Sequence, residues 1–462
     1  MADEEDDIVT IEEGAIERIY EAVAERRPHA EILQMIYDAF GVEWALRPPC
    51  WRKRLRGSFI RRPSPMADPW FKVHQSSFKE AFGMVMSAVE TRSKIDILSH
   101  VLLSTENGVL TLRATDLDLQ IDTECEAFDA AADIAVALPA ERLRALVASL
   151  PETGEVSFGQ GRFADQVAVS CGATRISMPC LPGADFPTIV TSHADHWFMV
   201  DGPELASAIA RTEFGLNNKE HRIYLTGFCL RDEEVDGKPI LTVIATDGLS
   251  FGRVRCRRVE QPHMPAIGPN YRHVIVPRKG AEAIRKLFDA SRKDCRLSAT
   301  DATLTAASGG TTIVTKLVDA VYPIYDAVIP RLDGLVAECA TADLVASVKR
   351  VGVVADNRDT DAIRFIVERD RIRLELVGTN GGIGADAIPC QSSAETRFIV
   401  GMNGHQLIRL LDSVSTDRVR MHLTDGATGV VFIPDGKEDE TYVLAPMRWR
   451  NAPGMDAEDA AA

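Results

Sequence analysis

A single pattern recurs three times between Phe71 and Arg450. Internal repetition limits the fold more sharply than composition does, because each unit must bury its apolar face against the next. Each copy opens with an extended segment leading into an amphipathic helix: FKVHQSSFKEAFGMVMSAVE, HWFMVDGPELASAIART and VAECATADLVASVKRV. In the first of these, Phe78, Phe82, Val85 and Val89 fall on one helical face. Alternating strands follow and end in polar turns, within RATDLDLQI, IATDGLSFGRV and VGTNGGIGADAI. A second helix is introduced by VALPAERLRALVASL, VIVPRKGAEAIRKLF and IVGMNGHQLIRLL; the copies close on ISMPCLPGADFPTIV, TKLVDAVYPIYDAVIP and YVLAPMRWR. The ATD turns begin at 114 and 245 and the TN turn at 379, steps of 131 and 134 residues. Two helices and several antiparallel strands per copy predict an α+β unit with helices on one face of a sheet.

Composition narrows the function classes. The chain has 462 residues, and no apolar run approaches the ~18 residues of a membrane span. The N-terminal MADEEDDIVTIEE is acidic where a secretory signal is basic and then apolar. A soluble, cytoplasmic protein with no membrane partner is the expectation. Nine cysteines without a CxxC pair predict thiols in a reducing compartment, with no disulfide framework and no zinc site. The net charge of −16 argues against nucleic-acid binding only if the signs are evenly spread. They are not: Lys79, Arg92, Arg142, Arg144, Arg211, Lys219, Arg278, Lys279, Arg285, Lys286, Lys349, Arg350 and Arg409 fall in the helical segments and beside them. If all helices share one face of the assembly, that face is basic while the exterior is acidic; the same charges also fit the solvated sides of ordinary helices.

Catalytic patterns are missing. The sequence holds no GxSxG, no HExxH and no GxxxxGK[ST]. GTNGGIG near 378 lacks the context of a dinucleotide fingerprint and reads as a turn needing positive φ. Asp116 and Asp247 sit at matched positions of two repeats, which fits a turn-forming carboxylate better than a catalytic pair. The expectation is a protein that is not an enzyme, with no catalytic residue, no metal and no cofactor. The flanks differ from the repeats. Residues 1–20 hold eight acids and one base, and WRKRLRGSFIRRPSP (51–65) holds six bases and no acid. Residues 1–65 read as an N-terminal extension, a helical module followed by a basic linker. A DNA-contacting arm, a poorly ordered tail and a start at Met66 are all compatible with that pattern. Residues 451–462 form a short acidic tail.

Six segments, LPGADFPTIV (181–190), NKEHRIYLTG (218–227), ATDGLSFGRV (245–254), VIVPRKG (274–280), TKLVDAVYPIYDAVIP (315–330) and YVLAPMR (442–448), carry a resemblance. In this order and spacing they resemble the bacterial DNA polymerase III β subunit family, the replicative sliding clamps. The resemblance implies clamp domains at 71–192, 196–330 and 334–450, and a head-to-tail ring dimer lined by helices around duplex DNA. It implies a non-catalytic processivity factor whose partners are double-stranded DNA, the polymerase III catalytic subunit, the clamp loader, and other polymerases and repair proteins bearing clamp-binding motifs. By position, the partner-peptide cleft would use Leu225, Thr246, Gly248, Leu249, Phe251, Pro323, Val328, Asn403, Val443, Leu444, Pro446, Met447 and Arg448. DNA contacts would fall to Arg92 and Lys219, with Arg211, Lys349 and Arg350 adding to the basic helix face; ring closure would set Ile176 and Met178 against Val354 and Ala355. Leu249 and Ser250 stand where the family commonly has a His–Arg pair, Ala327 replaces a frequent Arg, and Ala445 replaces a larger apolar residue. With the unusual extension, these departures also motivate the alternative of a divergent clamp paralogue serving a specialised polymerase or a regulatory role.

Overall fold

The protein is described from a computed structural model at residues 69–130, 133–190, 196–217, 220–266, 272–291 and 294–450. The extension at 1–65, the tail at 451–462 and Lys219 lie outside these residues. Six α-helices occur among the described residues: α1 (Gln75–Val85), α2 (Ala140–Ser149), α3 (Gly202–Thr212), α4 (Arg278–Ala290), α5 (Thr341–Val351) and α6 (Gly404–Leu411). Each follows a short strand, and each pair brackets a run of antiparallel strands, so one order of elements is played three times. The periodicity that predicts the helices also sets what they bury. Phe78, Phe82 and Val85 of α1, Leu205 and Ile209 of α3, and Leu344, Val348 and Val351 of α5 all enter one continuous core. α1 stops at Val85, a 3-10 turn follows at Met86–Ala88, and Val89 is extended rather than helical, yet it packs on the same core.

The strands join neighbouring repeats edge to edge. Leu119–Glu126 of the first repeat pairs with Thr311–Lys316 of the second, Ile121 opposite Ile313, inside a nine-stranded sheet. Ser250–Cys256 of the second pairs with Glu440–Leu444 of the third, Phe251 opposite Val443, inside another nine-stranded sheet. Two four-stranded sheets complete the layer, one ending on Thr174–Pro179 and the other on Ile383–Pro389.

The matched turns have matched chemistry. Asp116 Oδ1 accepts from the amides of Asp118 (3.0 Å) and Leu119 (2.7 Å), and Asp247 Oδ1 accepts from Leu249 (3.0 Å) and Ser250 (2.7 Å). Both carboxylates are therefore turn formers, as their repetition suggests. The residue after each turn carboxylate or amide takes positive φ: Leu117 (78°), Gly248 (86°) and Gly381 (85°).

Candidate docking cleft and basic helix face

The sheet that joins the second and third repeats buries its two faces differently, because alternate side chains on a strand point to opposite sides. Tyr442 and Leu444 enter the main core on the helix side, whereas Val443 points the other way. There it joins Leu225, Cys229, Ile244, Phe251, Ile275, Val431 and Ile433 in a second apolar cluster, covered by Tyr322 and Tyr325 of the closing segment of the second repeat. Around this cluster stand Thr246, half-buried with its hydroxyl donating to Ser250 O at 2.7 Å, and Gly248, Leu249, Pro323 and Val328, all exposed. The chain leaving the last strand crosses beside them. Ala445 N donates to Leu249 O (2.7 Å), Met447 N donates to Gly401 O (2.8 Å), and Pro446 and Met447 are half-buried while Arg448 is exposed. Gly401 is required for this crossing, since a Cβ there would meet Met447 O at 2.1 Å and the Trp449 ring at 2.7 Å. Beyond it, the Arg450 guanidinium donates to buried Asp361 at 2.6 Å and anchors the segment.

Two residues of the expected cleft do other work. Leu444 is fully buried on the helix side, so it belongs to the core. Asn403 is buried as the N-cap of α6: its Oδ1 accepts from Gln406 N at 2.9 Å and its amide donates to Arg358 O at 3.0 Å. Position in the sequence could not reveal this, because strand register and cap geometry decide it. Conversely, Arg222 lies at the cleft although the residue-by-residue expectation omits it. Its Nη2 donates to Asp247 O at 2.6 Å, and its guanidinium lies 3.1 Å from where a Cβ on Gly248 would stand. Hydrogen bonds from the same guanidinium hold the Glu220 carboxyl down to about 2, so this ion pair stays charged across the neutral range. The signal was at hand, since Arg222 is inside NKEHRIYLTG. Tyr325 donates its hydroxyl to Glu233; burial first, and that carboxylate second, push the phenol well above its ordinary range and keep it a donor.

The six helices carry eleven Lys and Arg against six Asp and Glu, although the whole chain is at −16. Many of these bases are already engaged. Arg211 is ion-paired to buried Glu440, which also accepts from Tyr442 Oη at 2.8 Å. Arg278 pairs with Glu213 and Glu282, Lys279 with Asp116, and Arg350 with Asp386 through Nε at 2.8 Å. Lys286 donates to Gly83 O in α1 (2.9 Å), and Arg409 to Leu216 O just past the 3-10 turn that follows α3 (3.0 Å), so each ties a second helix to the preceding repeat. Of the expected DNA contacts, Arg92 and Lys349 are exposed, Arg211 and Arg350 are held by carboxylates, and Lys219 lies outside the described residues. Arg211 is better read as the counter-ion of a buried glutamate than as a phosphate ligand, because moving it would strand that charge.

This three-repeat layout has counterparts among known proteins. The N-terminal domain of the DNA polymerase III beta subunit matches residues 70–190, and its central domain matches residues 199–324. The chain belongs to the DNA polymerase III beta subunit family. The beta sliding clamp of Caulobacter vibrioides is 27% identical over 379 residues, covering 81% of this chain and 99% of that one. The beta sliding clamp of Escherichia coli is 25% identical over 381 residues, covering 82% and 99%. A solved sliding clamp of Caulobacter crescentus superposes with a TM-score of 0.74 at 26% identity, covering 82% of this chain and 99% of that structure. The polymerase III beta subunit of Pseudomonas aeruginosa gives 0.75 at 24% identity with the same coverage. The residues expected at ring closure can be placed in the fold. On Thr174–Pro179, Ile176 is exposed but Met178 is buried in its own sheet opposite Val167, so only Ile176 is available to another chain. Of the other expected pair, Val354 and Ala355 are half-buried and the neighbouring Val353 is the exposed residue of that turn. Among the described residues no cluster of three metal-ligating side chains forms and no helix is long and apolar enough to cross a membrane.

Proposed function

We propose that this chain is a DNA sliding clamp: two copies close head to tail into a ring around duplex DNA and tether a polymerase through the cleft between the second and third repeats. The observation that carries this reading is the end-to-end correspondence of the described repeats with sliding clamps, 99% of whose length is matched. The basic bias of the helices on an acidic chain supports it, since phosphates attract Lys and Arg and a ring needs no sequence-specific base contact. The end strands Thr174–Pro179 and Ile383–Pro389 suit pairing between copies, because an unpaired edge offers a row of free backbone donors and acceptors. The cleft suits a short linear motif of Gln plus Leu or Phe, with the apolar cluster under Val443 as its floor and Met447 as a wall. Tethering then acts through effective concentration, with no chemistry performed by the clamp itself. In this role the partners are duplex DNA, a polymerase catalytic subunit, a clamp loader and other proteins bearing the motif.

The test is retention on DNA. Protein loaded onto nicked circular DNA should survive gel filtration with the circle and be lost when the circle is cut. Loss from the intact circle would overturn encirclement. For the cleft, Val443→Ala with Met447→Ala should abolish polymerase-peptide binding while the dimer persists; unchanged peptide affinity would remove the cleft assignment.

A further inference from the structure

The apolar surface at the cleft does not stop at the residues that the family relationship implies. Ile223 is 59% exposed, Val321 66% and Ile324 60%, and each directly precedes a residue that packs in the apolar cluster of the cleft. Val321 and Ile324 immediately precede Tyr322 and Tyr325, which are buried in that cluster, and Ile223 precedes Tyr224 and Leu225, which pack in it as well. Each of the three therefore points outward from a segment whose next residue is anchored inward. Leu249 and Val328, also half or more exposed, continue the surface on the cleft itself. Single exposed aliphatic residues are ordinary on a protein surface, but several on segments anchored in one apolar cluster mark a contact.

We propose that Ile223, Val321 and Ile324 form an apolar shelf that extends the docking cleft and selects partner motifs carrying extra aliphatic or aromatic residues beside the core. This rests on the cleft reading given above. The occupant is a linear peptide of a partner protein, because the shelf is continuous with the cleft that would hold the core of such a peptide. The shelf would separate partners by what flanks their motif, a difference that a shared core motif alone could not supply.

Fluorescence anisotropy with three labelled peptides tests it on the full chain: a short Gln/Leu/Phe core, that core extended by two leucines, and the core extended by two serines. The leucine-extended peptide should bind about tenfold tighter than the serine-extended one, the gain from burying one further large apolar side chain. That advantage should vanish in an Ile223→Ser/Ile324→Ser protein whose affinity for the bare core is unchanged, which also shows that the variant is folded. Equal binding of the two extended peptides, with the core still bound, would overturn the shelf alone. Failure of every peptide would overturn the cleft and the shelf together. A lower solution mass of the double-serine variant by light scattering would assign the shelf to a second copy of the chain, and would overturn the proposal as well.

Discussion

Arg211 and Lys349 look equivalent in sequence, both basic and both near the C-terminal end of a first helix, where cations favourably meet the helix dipole. Tertiary contacts separate them. Replacing Arg211 by Ala leaves Glu440 buried without its counter-ion and should cost about 2–3 kcal/mol, read by urea unfolding. Replacing Lys349 by Ala should leave stability within about 0.5 kcal/mol. It should instead reduce the salt slope of DNA association by about 0.9, measured on short linear duplexes. Asp361 gives the pH dependence. Burial pushes its carboxyl up, but donors from Asn357, Arg450, Asp356 and Thr379 outweigh that and hold it below the ordinary range. A depressed folded-state pKa gives stability that is fully present above the unfolded value, about pH 4, and is lost as pH falls through the folded one. The hydrogen-exchange protection factor of the Met447 amide should therefore stay high at neutral pH and fall on acidification below that range. Asp361→Asn, which keeps acceptors for the two amides but loses the charge facing Arg450, should show the lower protection already at neutral pH.

At the scale of elements, the turn after each first strand run places a positive-φ residue at the matched position, while the carboxylate that ties the turn is present in the first two and the third is tied through Asp356 to Asn380. Gly248 and Gly381 adopt that conformation freely, whereas Leu117 does so against its Cβ. Gly248→Ala should cost about 1–2 kcal/mol. It should also displace the Arg222 guanidinium, because a new Cβ would stand 3.1 Å from it. Thermal melting with peptide titration checks both. Leu117→Gly should be neutral or stabilising by about 0.5–1 kcal/mol, the relieved backbone strain being partly offset by a more flexible unfolded chain. The helices and the turns were legible from the sequence, because both depend on local spacing: apolar residues at helical intervals, and an Asp two or three residues before the amides that it binds. The end of α1 was not, since Val89 continues the apolar pattern and only the path of the chain into the next strand stops the helix earlier.

For the whole molecule, the decisive feature is that sheets run across repeat boundaries and that Thr174–Pro179 and Ile383–Pro389 each stand at the end of a sheet. Closing a ring requires those edges to be occupied by a second chain, so the mass in solution should be about twice 50.6 kDa. Ile176→Asp should shift that mass towards one chain, weakening association about a hundredfold by burying a charge at the seam, with the circular dichroism unchanged. Met178→Asp should instead unfold the first repeat, because that side chain is 4% exposed within its own sheet. Light scattering over a dilution series separates the two outcomes.

The repeat, its helix pairs, its turn carboxylates and the family follow from the sequence alone, because each rests on local spacing or on the order of short segments. Which of two adjacent strand residues faces the cleft, Val443 or Leu444, is settled only by register across the repeat boundary. Which bases are open to a phosphate is settled in the same way. Glu440 reaches Arg211 from a distance of 229 residues along the chain, and Asp116 reaches Lys279 from 163. A count of charges cannot see such pairings, because charge neutralisation is a property of distance in space, and the fold brings those partners together.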